Sequence, residues 1–221
     1  MISDECLIDA PTSIQQESPV ILFFDTETTG LPLFREPSED DRQPHIVQFA
    51  AILMDEEQNE CASVNVICQP DGWGIPEESS SIHGIYHDMA VKCGIRENLI
   101  CEIYKELILR ADKIVAHNIS FDMRIMRIAL LRSGMEKQKV EELETFSQIY
   151  CTMKTSSPIV KLPPTGKMVS HGFTNYKSPK LSEAIKFFFD EDIEGAHNAF
   201  VDAKACARLY FHLVSLQEKI S

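Results

Sequence analysis

Apolar positions in this chain fall into three short runs and then into helical stripes. Val20 to Glu27 is a β-branched and aromatic run broken by Thr28-Thr29-Gly30 and Pro32, which predicts a strand. Ile46 to Met54 and Cys61 to Gln69 predict two more, separated by the turn-like Asp55 to Asn59, so the three form an antiparallel meander. Leu33 to Pro44 is a polar, charged loop. Pro70 to Asp88, with Gly72, Gly74, Pro76 and the serines at 79 to 81, is mostly loop. Beyond it the period changes. Leu99, Ile103 and Leu107 share one face of a helix over about Arg96 to Arg110. Lys113 to Ala116 is a short buried strand, and Phe121 to Ser133 a helix stopped by Gly134. Residues 144 to 153 fit a short helix or a turn, then a strand around Tyr150 to Met153. Leu181 to Phe189 is helical. A last helix runs from near Ala199 to about Gln217 and buries Ala203, Cys206, Ala207, Tyr210, Leu213 and Val214. Strands first, then helix and strand in alternation, predict an α/β fold: a mixed sheet with helices packed on it.

A length of 221 residues and 44% hydrophobic composition suit one domain with a sizeable core. That domain is expected over 19 to 217, after a loose polar tail at 1 to 18. No apolar run approaches the ~18 residues of a membrane span. The start is acidic (Asp4, Glu5, Asp9), without the basic-then-apolar pattern of a signal peptide. Seven cysteines, an odd number with no Cys-x-x-Cys pair, disfavour a zinc site or a disulfide framework and suit a cytoplasmic setting. The net charge of −13 argues against a protein that coats nucleic acid through a basic surface. It leaves open an enzyme that grips a phosphate locally through metal ions. Cys151 to Lys186 departs from the average, with six lysines (154, 161, 167, 177, 180 and 186) and one acidic residue, Glu183. Its prolines and glycines predict much loop. The stretch reads either as a basic flap over a nucleic-acid path or as a solvated surface loop.

Three segments carry candidate chemistry. Asp25 and Glu27 end the first strand two residues apart, so both point to one face. They would repel unless a cation such as Mg²⁺, which favours oxygen ligands, lay between them; the alternative is an exposed acidic strand end. Asp122 lies in the first turn of the helix that follows the 113–116 strand, where strands in open α/β sheets present ligand sites. Taken alone, that segment fits ordinary capping by Asn118 or Ser120, with Asp122 against the helix dipole, better. His197 precedes the last helix, Asn198 is a plausible N-cap, and Asp202 falls in the first turns. The small Ala199, Ala203, Ala205 and Cys206 let that helix approach the sheet closely and set Asp202 beside Asp25 and Glu27. A surface histidine before an ordinary cap is the alternative.

Together the segments resemble a known family. Asp-Thr-Glu-Thr-Thr-Gly at 25 to 30, His-Asn-x-x-Phe-Asp at 117 to 122 and His-x-Ala-x-x-Asp at 197 to 202 are similar to the three motifs of the DnaQ-like, DEDDh-type 3′–5′ exonucleases. That family includes the proofreading subunit of the bacterial replicative polymerase. The resemblance spans about residues 19 to 216 in order and spacing. Ile82-His83-Gly84-Ile85 is similar to the family's loop near the terminal nucleotides, and Lys180-Leu181-Ser182 also matches. Cys151-Thr152-Met153 departs from the Asp-Thr-Leu or Asp-Thr-Met often seen on the family's fifth strand, at a position that is no metal ligand.

The resemblance implies a ribonuclease H-like fold: a five-stranded mixed sheet, three strands antiparallel and two parallel, flanked by helices. It implies two Mg²⁺ ions, with Mn²⁺ able to substitute. Asp25, Glu27 and Asp202 would hold one ion, Asp25 would also touch the second, and Asp122 would act through bound water. His197 would be the general base, a task suited to a side chain with an unperturbed pKa near ~6.5. Thr28 and Gly30 would offer backbone N–H groups to the terminal nucleotide, Leu31 and Ile82 would wedge against its bases, and His83 and Asn118 would help hold it. The expected partner is nucleic acid with a free 3′ end, single-stranded DNA first. No segment points to a polymerase partner or a membrane. An RNA-directed nuclease of the same fold and a catalytically silent nucleic-acid-binding domain are the competing readings.

Overall fold

The computed structural model describes residues 18–219. Five strands form one mixed sheet in the order β3-β2-β1-β4-β5, with β1 Ile21–Thr28, β2 Ile46–Met54, β3 Glu60–Ile67, β4 Lys113–Ala116 and β5 Gln148–Cys151. β1 is central. It pairs antiparallel with β2, where Glu27 faces Gln48 and Asp25 faces Ala50, and parallel with β4. β2–β3 is antiparallel and β4–β5 parallel, as expected.

Both faces of β1 are covered. Leu22 and Phe24 pack with Ile100 and Tyr104 of α3 (Glu97–Ile108) and Ile125 and Ala129 of α4 (Ile119–Arg132). Ile21 and Phe23 pack with Cys206, Ala207 and Tyr210 of α9 (Ala199–Glu218). Buried on both sides, β1 and β2 lack polar alternation and read as continuous apolar runs. The predicted α9 stripe is buried at Ala203, Cys206, Ala207, Tyr210 and Leu213; Val214 packs at its margin, partly buried.

The helices show where local pattern misleads. The stretch at 70–88, expected as mostly loop, holds α1 (Glu77–His83) and the start of α2 (His87–Cys93). α1 follows Pro76, carries Glu77 and Glu78 in its first turn and ends at Gly84, whose φ of 73° closes it in the left-handed conformation. Its serines have low helical propensity, but Ser79 and Ser80 are buried, so packing decides. The 144–153 region resolves into the end of α5 (Lys137–Glu144), a link, and β5, but the expected strand stops at Cys151, and Thr152 and Met153 already open a helix. The lysine-rich stretch is less irregular than expected, with α6 (Thr152–Val160) containing Pro158, and α7 (Gly166–Ser170), before α8 (Leu181–Phe189). In α6, Ser156 and Ser157 both donate to Met153 O from their hydroxyls. The expected tail at 1 to 18 lies outside the described residues except Ser18. Among the described residues, no helix is long and apolar enough to cross a membrane.

Candidate active site

Side chains alternate along β1, and this sorts the site. Ile21, Phe23, Asp25 and Glu27 face α9; Leu22, Phe24 and Thr26 face α3 and α4. The two carboxylates therefore share a face at the carboxyl end of the central strand.

Asp122 reaches that end from α4. It is 2% exposed and its Oδ1 accepts from the Thr26 N–H at 3.1 Å and the Thr26 hydroxyl at 2.8 Å. Asn118 stands at the N-cap of α4 with a left-handed φ of 69°. Its side chain makes no capping bond; its Oδ1 accepts from the Ser120 hydroxyl at 3.3 Å, so capping alone does not account for this segment.

Asp202 comes from the first turns of α9. Asn198 caps that helix, its Oδ1 accepting from Phe200 N at 3.1 Å and Val201 N at 3.4 Å. His197, one residue earlier, is exposed and has a left-handed φ of 66°. Its N–H donates to Asp202 Oδ2 at 3.0 Å, so the carboxylate fixes the turn that presents the imidazole. Glu27, His197 and Asp202 offer ligand atoms that all lie within 4.8 Å of one another.

The electrostatics are those of crowded acid. Burial raises Asp25 well above the ordinary carboxylate range, and Asp122, Asp202 and Glu27 push it further. Glu27 is pushed up to about 7 by burial, then by Asp202 and Asp122. Burial also raises Asp122, against its bonds from Thr26, and raises Asp202, against the His197 N–H. Among the described residues no lysine or arginine pairs with any of the four. Convergent oxygen donors without a cationic partner fit a hard divalent cation such as Mg²⁺.

Of the predicted substrate residues, Thr28 ends the strand that carries Asp25 and Glu27, and His83 feels the charge of His197. Thr28 donates from its hydroxyl to Gly30 O at 2.8 Å, and Ser79 Oγ of α1 donates to Thr29 O at 2.9 Å, tying α1 to the motif. Leu31 and Ile82 are 75% and 56% exposed, apolar side chains with no core to fill. His83 is buried. Its Nδ1 accepts from Ile85 N–H at 3.1 Å, so Nε2 carries the proton of the neutral ring. That Nε2 is buried with no partner among the described residues. Burial, and then His197, hold the His83 pKa below its usual value.

Three partners were not readable from sequence. Thr26 holds Asp122. His117 places Nδ1 2.9 Å from Thr152 Oγ1 and Nε2 3.0 Å from Pro179 O, binding the second motif to both ends of the lysine-rich segment. Gln48, directly opposite Glu27, accepts from Ala199 N at 3.0 Å. The available signal was a polar residue inside an apolar strand, at Thr26 and at Gln48.

The sequence profile of the exonuclease family RNase T matches residues 22–210. A search of curated protein sequences returns no significant match. Similar solved structures include Escherichia coli Exonuclease I in complex with a dT13 oligonucleotide (TM-score 0.71, 19% identity, 91% of this chain and 42% of that one). The zinc-bound form of the E. coli Exonuclease I–single-stranded DNA complex aligns at TM-score 0.68 and 21% identity, over 91% and 42% of the two chains. A moderately thermophilic Exonuclease I from Methylocaldum szegediense aligns at TM-score 0.66 and 22% identity, over 89% and 40%. This chain thus spans about two fifths of the length of these structures.

Proposed function

Because this chain belongs to the DnaQ-like DEDD family of 3′–5′ exonucleases, we propose that it hydrolyses single-stranded DNA from the 3′ end and releases nucleoside 5′-monophosphates. The observation that carries this reading is the convergence of Asp25, Glu27, Asp122 and Asp202 from β1, α4 and α9, with His197 beside Glu27 and Asp202. Exonuclease I complexes with dT13 and with dA16 among the structural neighbours support DNA as the substrate.

Asp25, Glu27 and Asp202 would hold Mg²⁺ directly, with Asp122 behind them and Mn²⁺ able to replace it. When bound, two such cations neutralise the charge that builds on the phosphate and its leaving oxygen. The remaining work falls to the chain. His197, exposed on a turn locked by Asp202, accepts at a ring nitrogen the proton of the attacking water. His83, whose Nε2–H has no partner among the described residues, would with Asn118 help to hold the terminal nucleotide. Thr28 and Gly30 present backbone to the terminal nucleotide. Leu31 and Ile82 place apolar surface against its bases, a contact every base can make.

The test is degradation of 3′- and 5′-labelled DNA and RNA of one sequence, single- and double-stranded, with Mg²⁺. The expected result is mononucleotide release from single-stranded DNA, with the 3′ label lost first. Release from the 5′ end, or a preference for RNA, would overturn the corresponding part.

A further inference from the structure

Gln48 is a polar side chain in the middle of an otherwise apolar strand, and it is 3% exposed. A buried amide is costly unless both its ends are bonded. Here both are. Its Oε1 accepts from Ala199 N at 3.0 Å; its Nε2 donates to Asn65 Oδ1 at 2.8 Å and reaches Asn198 Oδ1 at 3.5 Å. One side chain thus joins β2, β3 and the first residues of α9.

The location gives this bond set a role beyond capping. A helix leaves its first four N–H groups without internal partners. In α9, the Asn198 side chain serves Phe200 and Val201, and its carbonyl accepts the first ordinary helical bond, from Asp202. The Ala199 N–H is served from outside the helix, by Gln48. Gln48 pairs directly with Glu27 across the β1–β2 ladder, so the two side chains share a face. The residues that Gln48 grips, Asn198 and Ala199, immediately follow His197, and the His197 N–H is bonded to Asp202.

We propose that Gln48 is a positioning residue that holds the His197–Asp202 turn in place against Glu27. This rests on the catalytic reading of His197 and Asp202 given above. The amide suits the place because both its ends are used: one accepts from a helix N–H and the other donates to Asn65. The acceptor oxygen is its essential atom, because Asn198 Oδ1 is already committed to two α9 amides.

The test compares Gln48→Met, which keeps the shape and removes the acceptor, with Gln48→Glu, which restores it and lets Asn65 rotate to donate. Gln48→Met should lower kcat at least tenfold while KM for single-stranded DNA stays within about twofold, since the residues proposed to hold DNA are not bonded to Gln48. Gln48→Glu should recover kcat to within about threefold. In the metal-free proteins, hydrogen exchange at the Ala199 amide should quicken at least tenfold in the Met variant and recover in the Glu variant. A Met variant with unchanged kcat would overturn the inference; so would equal losses in the Met and Glu variants, or a KM that rises as much as kcat falls. Loss of activity in His197→Ala alongside a fully active Gln48→Met would sink this inference and leave the proposed function standing. Full activity in both variants would sink both.

Discussion

Thr26 and Asp122 lie 96 residues apart in sequence, yet the threonine gives both its backbone N–H and its hydroxyl to the same carboxylate oxygen. Thr26 stands between Asp25 and Glu27 and points to the opposite face of the sheet. One strand therefore carries two carboxylates for one face and fixes a third through the other. Replacing the hydroxyl by a methyl group leaves a buried carboxylate with one donor fewer. Thr26→Val should lower stability by about 1–2 kcal/mol, read by urea denaturation. Thr26→Ser should stay close to the parent.

His197 and Asp202 act as one unit, since the carboxylate holds the turn that presents the ring. Asp202→Asn and His197→Ala should each reduce kcat by about 10²–10⁴-fold, and the double variant should fall little below the worse single one. Either variant retaining parental activity would exclude this cluster as the catalytic centre.

Stability without metal should depend on pH in a direction set by the raised carboxylates. A carboxylate with a raised folded-state pKa holds its proton more tightly folded than unfolded. Between its ordinary value and the raised one the folded state binds more protons, so stability falls as pH rises. Glu27, pushed up to about 7, defines the window from about 4.5 to 7, and Asp25, Asp122 and Asp202 add in the same sense. In a chelator, the Tm contribution of this cluster should drop by roughly 5 °C across that window, read as the difference from an Asp25→Asn, Glu27→Gln variant. Added Mg²⁺ should raise Tm more at pH 8 than at pH 5.5.

Arg132 closes the loop that leads into β2. It donates to Gln43 O at 3.0 Å and Pro44 O at 3.1 Å, and lies 2.9 Å from His45 Nδ1 and 3.2 Å from Glu97 Oε1. Burial works to raise Glu97, but hydrogen bonds and charge from His45 and Arg132 leave its pKa lowered. Its stabilising effect is present above the ordinary carboxylate range and lost as pH falls through the lowered value. A lysine cannot reproduce the planar fork, so Arg132→Lys should cost about 1–3 kcal/mol, measured by denaturation at neutral pH.

Among the described residues Lys154, Lys161 and Lys167 have no ion pair, whereas Lys177 pairs with Glu183 and Lys186 with Asp190 and Asp192. If the lysine-rich segment tracks nucleic acid, changing those three to Gln should weaken single-stranded DNA binding. The slope of log K against log salt should flatten by up to about 0.7 per lysine. An unchanged slope would make the segment an ordinary solvated surface.

The strands were legible because β1 and β2 are buried on both faces and leave uninterrupted apolar runs. The motif residues were legible because each lies at a strand end or helix start. Helices α1 and α6 were not, since serines and Pro158 mask segments that tertiary packing makes helical, and the short α7, with no buried residue, is set by its local Thr165 cap. Thr26 and Gln48 escaped for a different reason. Their roles lie in partners 96 and 151 residues away, and no local spacing encodes those.

The pairing of Glu27 with Gln48 across the β1–β2 ladder has one more consequence. Alternation along a strand has a period of two, so a slip of β1 by a single residue would turn Thr26 toward α9 and send both acids to the wrong side of the sheet. A mutant that shifted β1 in this way could keep its core hydrophobic, pass as folded by circular dichroism and have no working centre. In this protein, hydrolysis is bound to strand alignment as tightly as to any side chain.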